Sequence, residues 1–503
     1  MYSSQYNRLV KKYSLLIIVL FALFCSNINS SQAQSTFWSK QEKIPEYYDS
    51  TEEPPYLIAD QAHVVHAFNS QPLDLKSNVS PKAIFYRKWT MENGWTVPND
   101  ILYDDNGEGL ELVGVVSDQS KTIHLVFQKN SHDLYYVYNQ LVTAGTPSSW
   151  SSPILIGQNS TSIGPGNANI GTIAVDDTGN NIVVTYSGLE YGDGLYYVFS
   201  VDHGVNWSTP YPVYLVGGEK LVVTDPKLFM GQSGIYHAVW SSFNSDGSGG
   251  PGYYAKWDLA SQTWSDPVAL DLPGIRTPSV IEFNGDIFVS YHHVSSNGNW
   301  WRRSIDDGDT WSSPARISSS HVGTNGGLSF VVDSNNTLYG FFGERIDDFN
   351  HGLWQVVWTG TSWSNPTAVV RGPQVRDSIG GRGFDPRSAR AVVSNGNVVL
   401  VTWGTDGFAG VNGAWYSYRT LDAPELQIQP LALPTVNNQT AQNPKATEVV
   451  SGITPSAEID IAGNDYPAFL QSPQFPIYLG IAPVLIILIG IIVARYFFQN
   501  KEK

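Results

Sequence analysis

The chain has 503 residues, 13% of them Phe, Trp or Tyr and only 15% charged, with 46 Gly and 29 Pro. This suits many short strands joined by tight turns, and excludes long helices for the bulk of the chain. A formal charge of −16 excludes nucleic acid as the expected partner, and a single cysteine, Cys25, leaves no disulfide, thiolate zinc site or cysteine nucleophile beyond the first 34 residues.

Arg8, Lys11 and Lys12 precede the apolar run YSLLIIVLFALFC and a polar stretch ending SSQAQS. This three-part layout reads residues 1–34 as a secretory signal, with an uncleaved anchor as the alternative.

Beyond it a pattern recurs. Trp, two residues and Pro appear as WTVP at Trp95, WSSP at Trp150, WSTP at Trp207, WSDP at Trp264, WSSP at Trp311 and WSNP at Trp363, spaced 55, 57, 57, 47 and 52 residues apart. Such a period matches one four-stranded propeller blade. Each unit also holds a polar turn leading into an alternating strand, seen seven times from DQAHVVHAF at Asp60 to SNGNVVLVTW at Ser394. Seven strands against six tails leave one tail missing, and FWSKQEKIP at Phe37–Pro45 is the candidate. The fold expected is all-β: a β-propeller of four-stranded blades over residues 36–425, seven by this count with six as the alternative. An N-terminal strand completes the last blade, which removes exposed sheet edges.

Residues 426–476, rich in Pro, Ala, Thr, Gln and Asn, read as a low-complexity stalk. Ile477–Phe498, IYLGIAPVLIILIGIIVARYFF, is long enough to cross a bilayer as a helix, with a buried core helix as the alternative. Arg495, Lys501 and Lys503 put the tail, residues 499–503, in the cytoplasm. The expected location is therefore the cell membrane, as a single-pass type I protein with its propeller outside.

Two tails carry more than Trp and Pro. SVDHGVNWSTP holds Ser200, Asp202, Gly204 and Trp207, and SIDDGDTWSSP holds Ser304, Asp306, Gly308 and Trp311. This is the Asp box, and here the chain resembles the sialidase (neuraminidase) superfamily of bacterial neuraminidase repeat proteins. The residue types suit a structural role: a carboxylate accepts backbone N–H bonds of a tight turn, glycine supplies positive φ, and Trp packs between sheets. The resemblance places the box on a hairpin away from the ligand face. Calcium binding by Asp306, Asp307 and Asp309 is the alternative, although the bidentate Glu of such loops is absent. No cofactor and no metal are expected.

The resemblance also implies what a site would contain: three arginines gripping a carboxylate, an Asp acid/base, and a Tyr nucleophile activated by a Glu. The Arg-Ile-Pro signature of the family has an approximate counterpart at Arg276 in RTPSVIEF, with Thr277 where Ile is expected and in the fifth unit rather than an early one. RGPQVRDSIGGRGFDPR, with Arg371, Arg376, Arg382 and Arg387, is a candidate anion or sugar-acid pocket, or else a solvated loop with internal ion pairs. GERIDDFNHG adds Glu344, Arg345 and Asp347, YHHVSSNGNWW adds His292 and His293, and SGLEYGDG adds Glu190 and Tyr191. Aromatics beside carboxylates and amides suit sugar binding. The function expected is recognition of a glycan or another extracellular ligand through the loop face, with an exo-acting glycoside hydrolase of sialidase type as the alternative.

Overall fold

Alternating apolar residues bounded by Gly, Asn and Asp turns dictate short antiparallel strands, and none of these strands has a polar face broad enough to stand alone in water. The computed structural model describes residues 37–431 apart from 50–52, 78–79, 159, 161–169, 217–220, 245–248, 272–273, 294–295, 297, 320–323, 345–351, 372–385, 406–412 and 430. Among the described residues thirty strands form seven antiparallel sheets, each a four-stranded blade. In blades 1 and 4 the outer strand is split into two short pieces, both paired with the third strand. The expected signal, most of the expected stalk and the expected span lie outside the described residues.

The inner strands are, in blade order, Tyr56–Ala59, Leu110–Ser117, Gly171–Val175, Leu221–Met230, Ile275–Phe283, Thr324–Val332 and Pro386–Ser394. Meander topology sends the loops entering these strands, and those joining second to third strands, to one end of the channel. We call that end the entry face; the hairpin turns occupy the other. The core is likewise divided. Each buried apolar cluster joins two adjacent blades, as when Ile58, Phe68 and Tyr86 of blade 1 meet Leu112, Leu125 and Trp150 of blade 2.

Blade 7 is completed by the N-terminal strand Glu42–Lys43, which pairs with the third strand Ala414–Thr420. Seven blades rather than six are therefore closed as the repeat count requires. The seventh tail is FWS. In every blade the hydroxyl after the tail Trp accepts a backbone N–H from the third strand, at 2.9 Å for Lys88 to Thr96, 3.0 Å for Arg303 to Ser312 and 3.0 Å for Tyr418 to Ser39. The Trp ring meanwhile lies against the preceding blade: Trp95 on Tyr416, Trp207 on Tyr136, Trp311 on Tyr254 and Trp38 on Phe341.

The two Ser-x-Asp-x-Gly-x-x-Trp hairpins add a second fastener. Ser304 Oγ donates to Asp306 Oδ1 at 2.8 Å and accepts from Gly308 N at 2.8 Å, and Asp306 Oδ1 accepts from Thr310 N at 2.8 Å. Ser200, Asp202, Gly204 and Asn206 repeat the arrangement. Gly308 has φ of 85°, and a Cβ there would come within 2.0 Å of Tyr254 Oη in the preceding blade. Asp309 is engaged by Lys256 at 2.7 Å, and the described residues hold no group of His, Cys, Asp and Glu suited to a metal.

The inner hairpins carry a third device that the repeats spell only in part. Asp60 Oδ1 caps its turn by accepting from Ala62 N and Val64 N, while its Oδ2 meets His66 Nε2 at 3.0 Å and His66 Nδ1 meets Tyr86 Oη at 2.7 Å. In blade 4 His237 and Tyr254 keep the His–Tyr contact at 2.8 Å, but Gly231 stands in the Asp position and His237 Nε2 is buried without a partner. Leu426 and Gln429, at the start of the expected stalk, still touch the turn face, with Leu426 N donating to Asn395 O and Gln429 N to Gln61 O.

Candidate ligand site at the entry face

Four consecutive inner strands break their ladder at the same height. Register shifts fall between Thr224 and Lys227, Arg276 and Ser279, Asn325 and Ser329, and Arg387 and Arg390. Asp225, Thr277 and Ser388 sit in these bulges at φ of 51°, 45° and 52°. Such values cost non-glycine residues on the order of 1–3 kcal/mol and persist where the surroundings over-determine them. In blade 6 the bulge is glycine because blade 5 comes too close: a Cβ on Gly327 would lie 2.1 Å from Thr277 O. A bulge re-aims its side chains. Here four blades turn polar groups inward together.

These bulges, with the segment entering blade 1, line a cavity of about 220 Å³ that includes Glu53, Asp225, Lys227, Ser279, Ser329 and Arg390. Arg390 Nη2 donates to Glu53 Oε2 at 3.1 Å, its Nη1 donates to Pro54 O, and its guanidinium lies 3.7 Å from the Tyr56 ring centroid. Ser388 Oγ donates to Glu53 Oε1 at 3.2 Å. Glu53 is in turn fixed from behind, since Tyr47 Oη donates to its carbonyl at 3.0 Å and buried Arg87 donates to Pro45 O and Glu46 O. Burial holds the Arg87 guanidinium down to about 10, still cationic at neutral pH.

Lys227 differs from Arg390. Among the described residues it makes no hydrogen bond or ion pair, and burial first, then the nearby Arg390 charge, push its ammonium below the usual lysine range, against the opposing pull of Asp225 and Glu53. The site thus offers a paired guanidinium, a lysine amine with no hydrogen bond or ion pair among the described residues, the Glu53 and Asp225 carboxylates and a row of hydroxyls. That set can grip an acidic group and hydrogen-bond a polyol.

The sequence candidates occupy several places around the same face. Arg276 precedes the blade 5 bulge and pairs in register with His292, whose imidazolium is pushed down to about 4 by burial, Arg276 and His293. His293 Nδ1 accepts from Ser296 N at 3.2 Å. Glu344 is fully buried at the end of the second strand of blade 6. Arg371 lies over the Trp354 ring at 5.2 Å, and Arg387 pairs with Gly404. Arg345, Asp347, Arg376 and Arg382 lie outside the described residues. Glu190 accepts from buried Tyr186 Oη, and Tyr191 is exposed. Trp300 and Trp301, of which alternation makes one a core residue, are both half-buried, because a propeller blade is covered on each face.

Glu53, Asp225, Lys227, Ser388 and Arg390 were not among those candidates. Asp225 and Lys227 had a signal in proline: VVTDPKLFM, like IRTPSVIEF, places Pro inside an inner strand, where it marks a break in the ladder.

No protein-family model matches the sequence, and no curated protein matches it. Among solved structures the chain is similar to a protein of unknown function from Dyadobacter fermentans, at 16% identity over 76% of this chain and 99% of that one, TM-score 0.45. It is also similar to the intramolecular trans-sialidase from Ruminococcus gnavus (14% identity, 77% and 99% covered, TM-score 0.42) and to a polysaccharide lyase of family PL25, an ulvan lyase (13% identity, 61% and 81% covered, TM-score 0.39). At such identities the likeness is one of fold.

Proposed function

We propose that this chain is a membrane-anchored, sialidase-like propeller that recognises an extracellular glycan bearing an acidic group, bound in the entry-face cavity. The observation that carries the reading is the Lys227 amine, which makes no hydrogen bond or ion pair among the described residues and lines one cavity with the Arg390 guanidinium. A ligand carboxylate or sulfate gives Lys227 the hydrogen-bond acceptor that no described residue gives it, while Ser279 and Ser329 line the cavity where sugar hydroxyls would lie. Leu421, Leu426 and Gln429 hold the chain against the turn face, opposite the cavity. The Tyr186–Glu190 pair does not serve sialidase-type hydrolysis, because its tyrosine is fully buried, out of reach of an anomeric carbon.

The test is a glycan array probed with the full chain in detergent, wild type against Lys227→Gln. Acidic oligosaccharides are expected to be retained by the wild type and weakened about tenfold in the variant at unchanged melting temperature. Retention of neutral glycans alone, or indifference to Lys227→Gln, defeats the reading. Release of sialic acid from a fluorogenic sialoside replaces it with hydrolysis.

A further inference from the structure

The loop joining the second and third strands of blade 3 is fastened by several backbone hydrogen bonds, yet it leaves one ring in solvent. Tyr186 Oη donates to Glu190 Oε1, and Gly188 makes room for that carboxylate, since a Cβ there would lie 2.5 Å from Glu190 Oε2. Tyr196 Oη accepts from Tyr191 N at 2.8 Å and donates to Gly192 O at 2.6 Å. Gly192, at φ of 115°, donates to Leu189 O, and Val216 N donates to Asp193 O at 2.8 Å. Tyr186, Tyr196 and Tyr191 form a column, with ring centroids 6.0 Å and 6.3 Å apart. The two inner rings are buried. Tyr191 is 68% exposed and Leu189 beside it 49%.

Loops with exposed apolar side chains are ordinarily free to fold them away, but this backbone is pinned by two tyrosines and a buried carboxylate. A rigid ring held outward at low entropic cost is what a stacking contact requires. The loop carries a partner of a polyol rather than of an apolar peptide, since exposed Asp193 follows the ring. We infer that Tyr191 is a stacking subsite for the apolar face of a pyranose ring, with Asp193 placed for its hydroxyls, outside the cavity that holds the acidic group. The inference rests on the glycan reading above and extends it from one sugar to a chain of sugars, because none of the blade 3 residues lines the cavity.

The test uses the full chain in detergent on an array of immobilised neutral and acidic oligosaccharides, with Tyr191→Ala, Tyr191→Phe and Lys227→Gln. Tyr191→Ala is expected to weaken every glycan retained by the wild type about tenfold, and Tyr191→Phe to stay within about twofold, because the ring and not the hydroxyl makes the contact. Undiminished binding by Tyr191→Ala while Lys227→Gln loses it overturns the subsite alone. Equal loss in Tyr191→Phe overturns stacking in favour of a hydroxyl contact. A wild-type chain that retains no glycan overturns both the subsite and the reading on which it rests.

Discussion

The Trp38 ring meets Phe341 edge-on, with centroids 5.9 Å apart and planes at 89°, joining the chain's N-terminal segment to blade 6. Arg419 covers the same ring at 5.2 Å. One residue near the start of the domain thus performs in blade 7 what Trp95 to Trp363 perform in the other six. Because Trp38 is half-buried, Trp38→Ala is expected to cost about 2 kcal/mol, below the range for a fully buried Trp. Urea denaturation of the full chain measures it; wild-type stability in the variant removes the closing role.

Gly308→Ala is expected to destabilise by about 3 kcal/mol, since it adds a Cβ at positive φ and drives it toward Tyr254 Oη. Asp306→Asn keeps most of the turn's hydrogen bonds and should shift the melting temperature far less. Neither is expected to alter glycan binding. A loss of binding in Asp306→Asn at unchanged stability would make Asp306 a ligand contact.

His237 makes stability depend on pH. Burial, then the Lys256 charge, hold its imidazolium down to about 4 in the folded chain, whereas unfolded histidine protonates near 6.5. Between these values the unfolded state binds more protons, so stability rises with pH there and is lost as pH falls from 6.5 toward 4. The loss at pH 4.5 should be on the order of 2 kcal/mol. His292 adds in the same direction. His237→Asn, which retains an acceptor for Tyr254, is expected to flatten the profile; an unchanged slope assigns the effect elsewhere.

Glu53→Gln separates the two demands on Arg390. Removing the carboxylate leaves a part-buried guanidinium without its counter-charge, a cost of about 1–2 kcal/mol for a pair this accessible. The same change removes a negative charge from the cavity, so acidic oligosaccharides should bind several-fold tighter. Weaker binding in Glu53→Gln would make Glu53 a ligand contact instead of a competitor.

Much of the ring was legible in the chain. The tail Trp and the hydroxyl after it recur because each meets a local demand, a gap between blades and an unpaired third-strand N–H, and local demands repeat with the unit. The same logic exposed FWS as the seventh tail. The cavity was less legible. Lys227 and Arg390 lie 163 positions apart in sequence and resemble any cation in a strand, and only the bulges turn them inward together. Arg276 attracted notice because it sits in a recognisable signature, while Arg390 sits in SARAVV, which signals an ordinary strand.

By itself the sequence determined the period, a count of seven blades with six left open, the Trp fastener of each tail and the candidate for closure by the N-terminal segment, since all of these depend on residues close in the chain or on one repeated contact. Tertiary structure alone decided which side chains share the channel mouth and which ring faces solvent. A bulge displaces a side chain by one position in its ladder, and what that side chain then meets comes from blades more than fifty residues away.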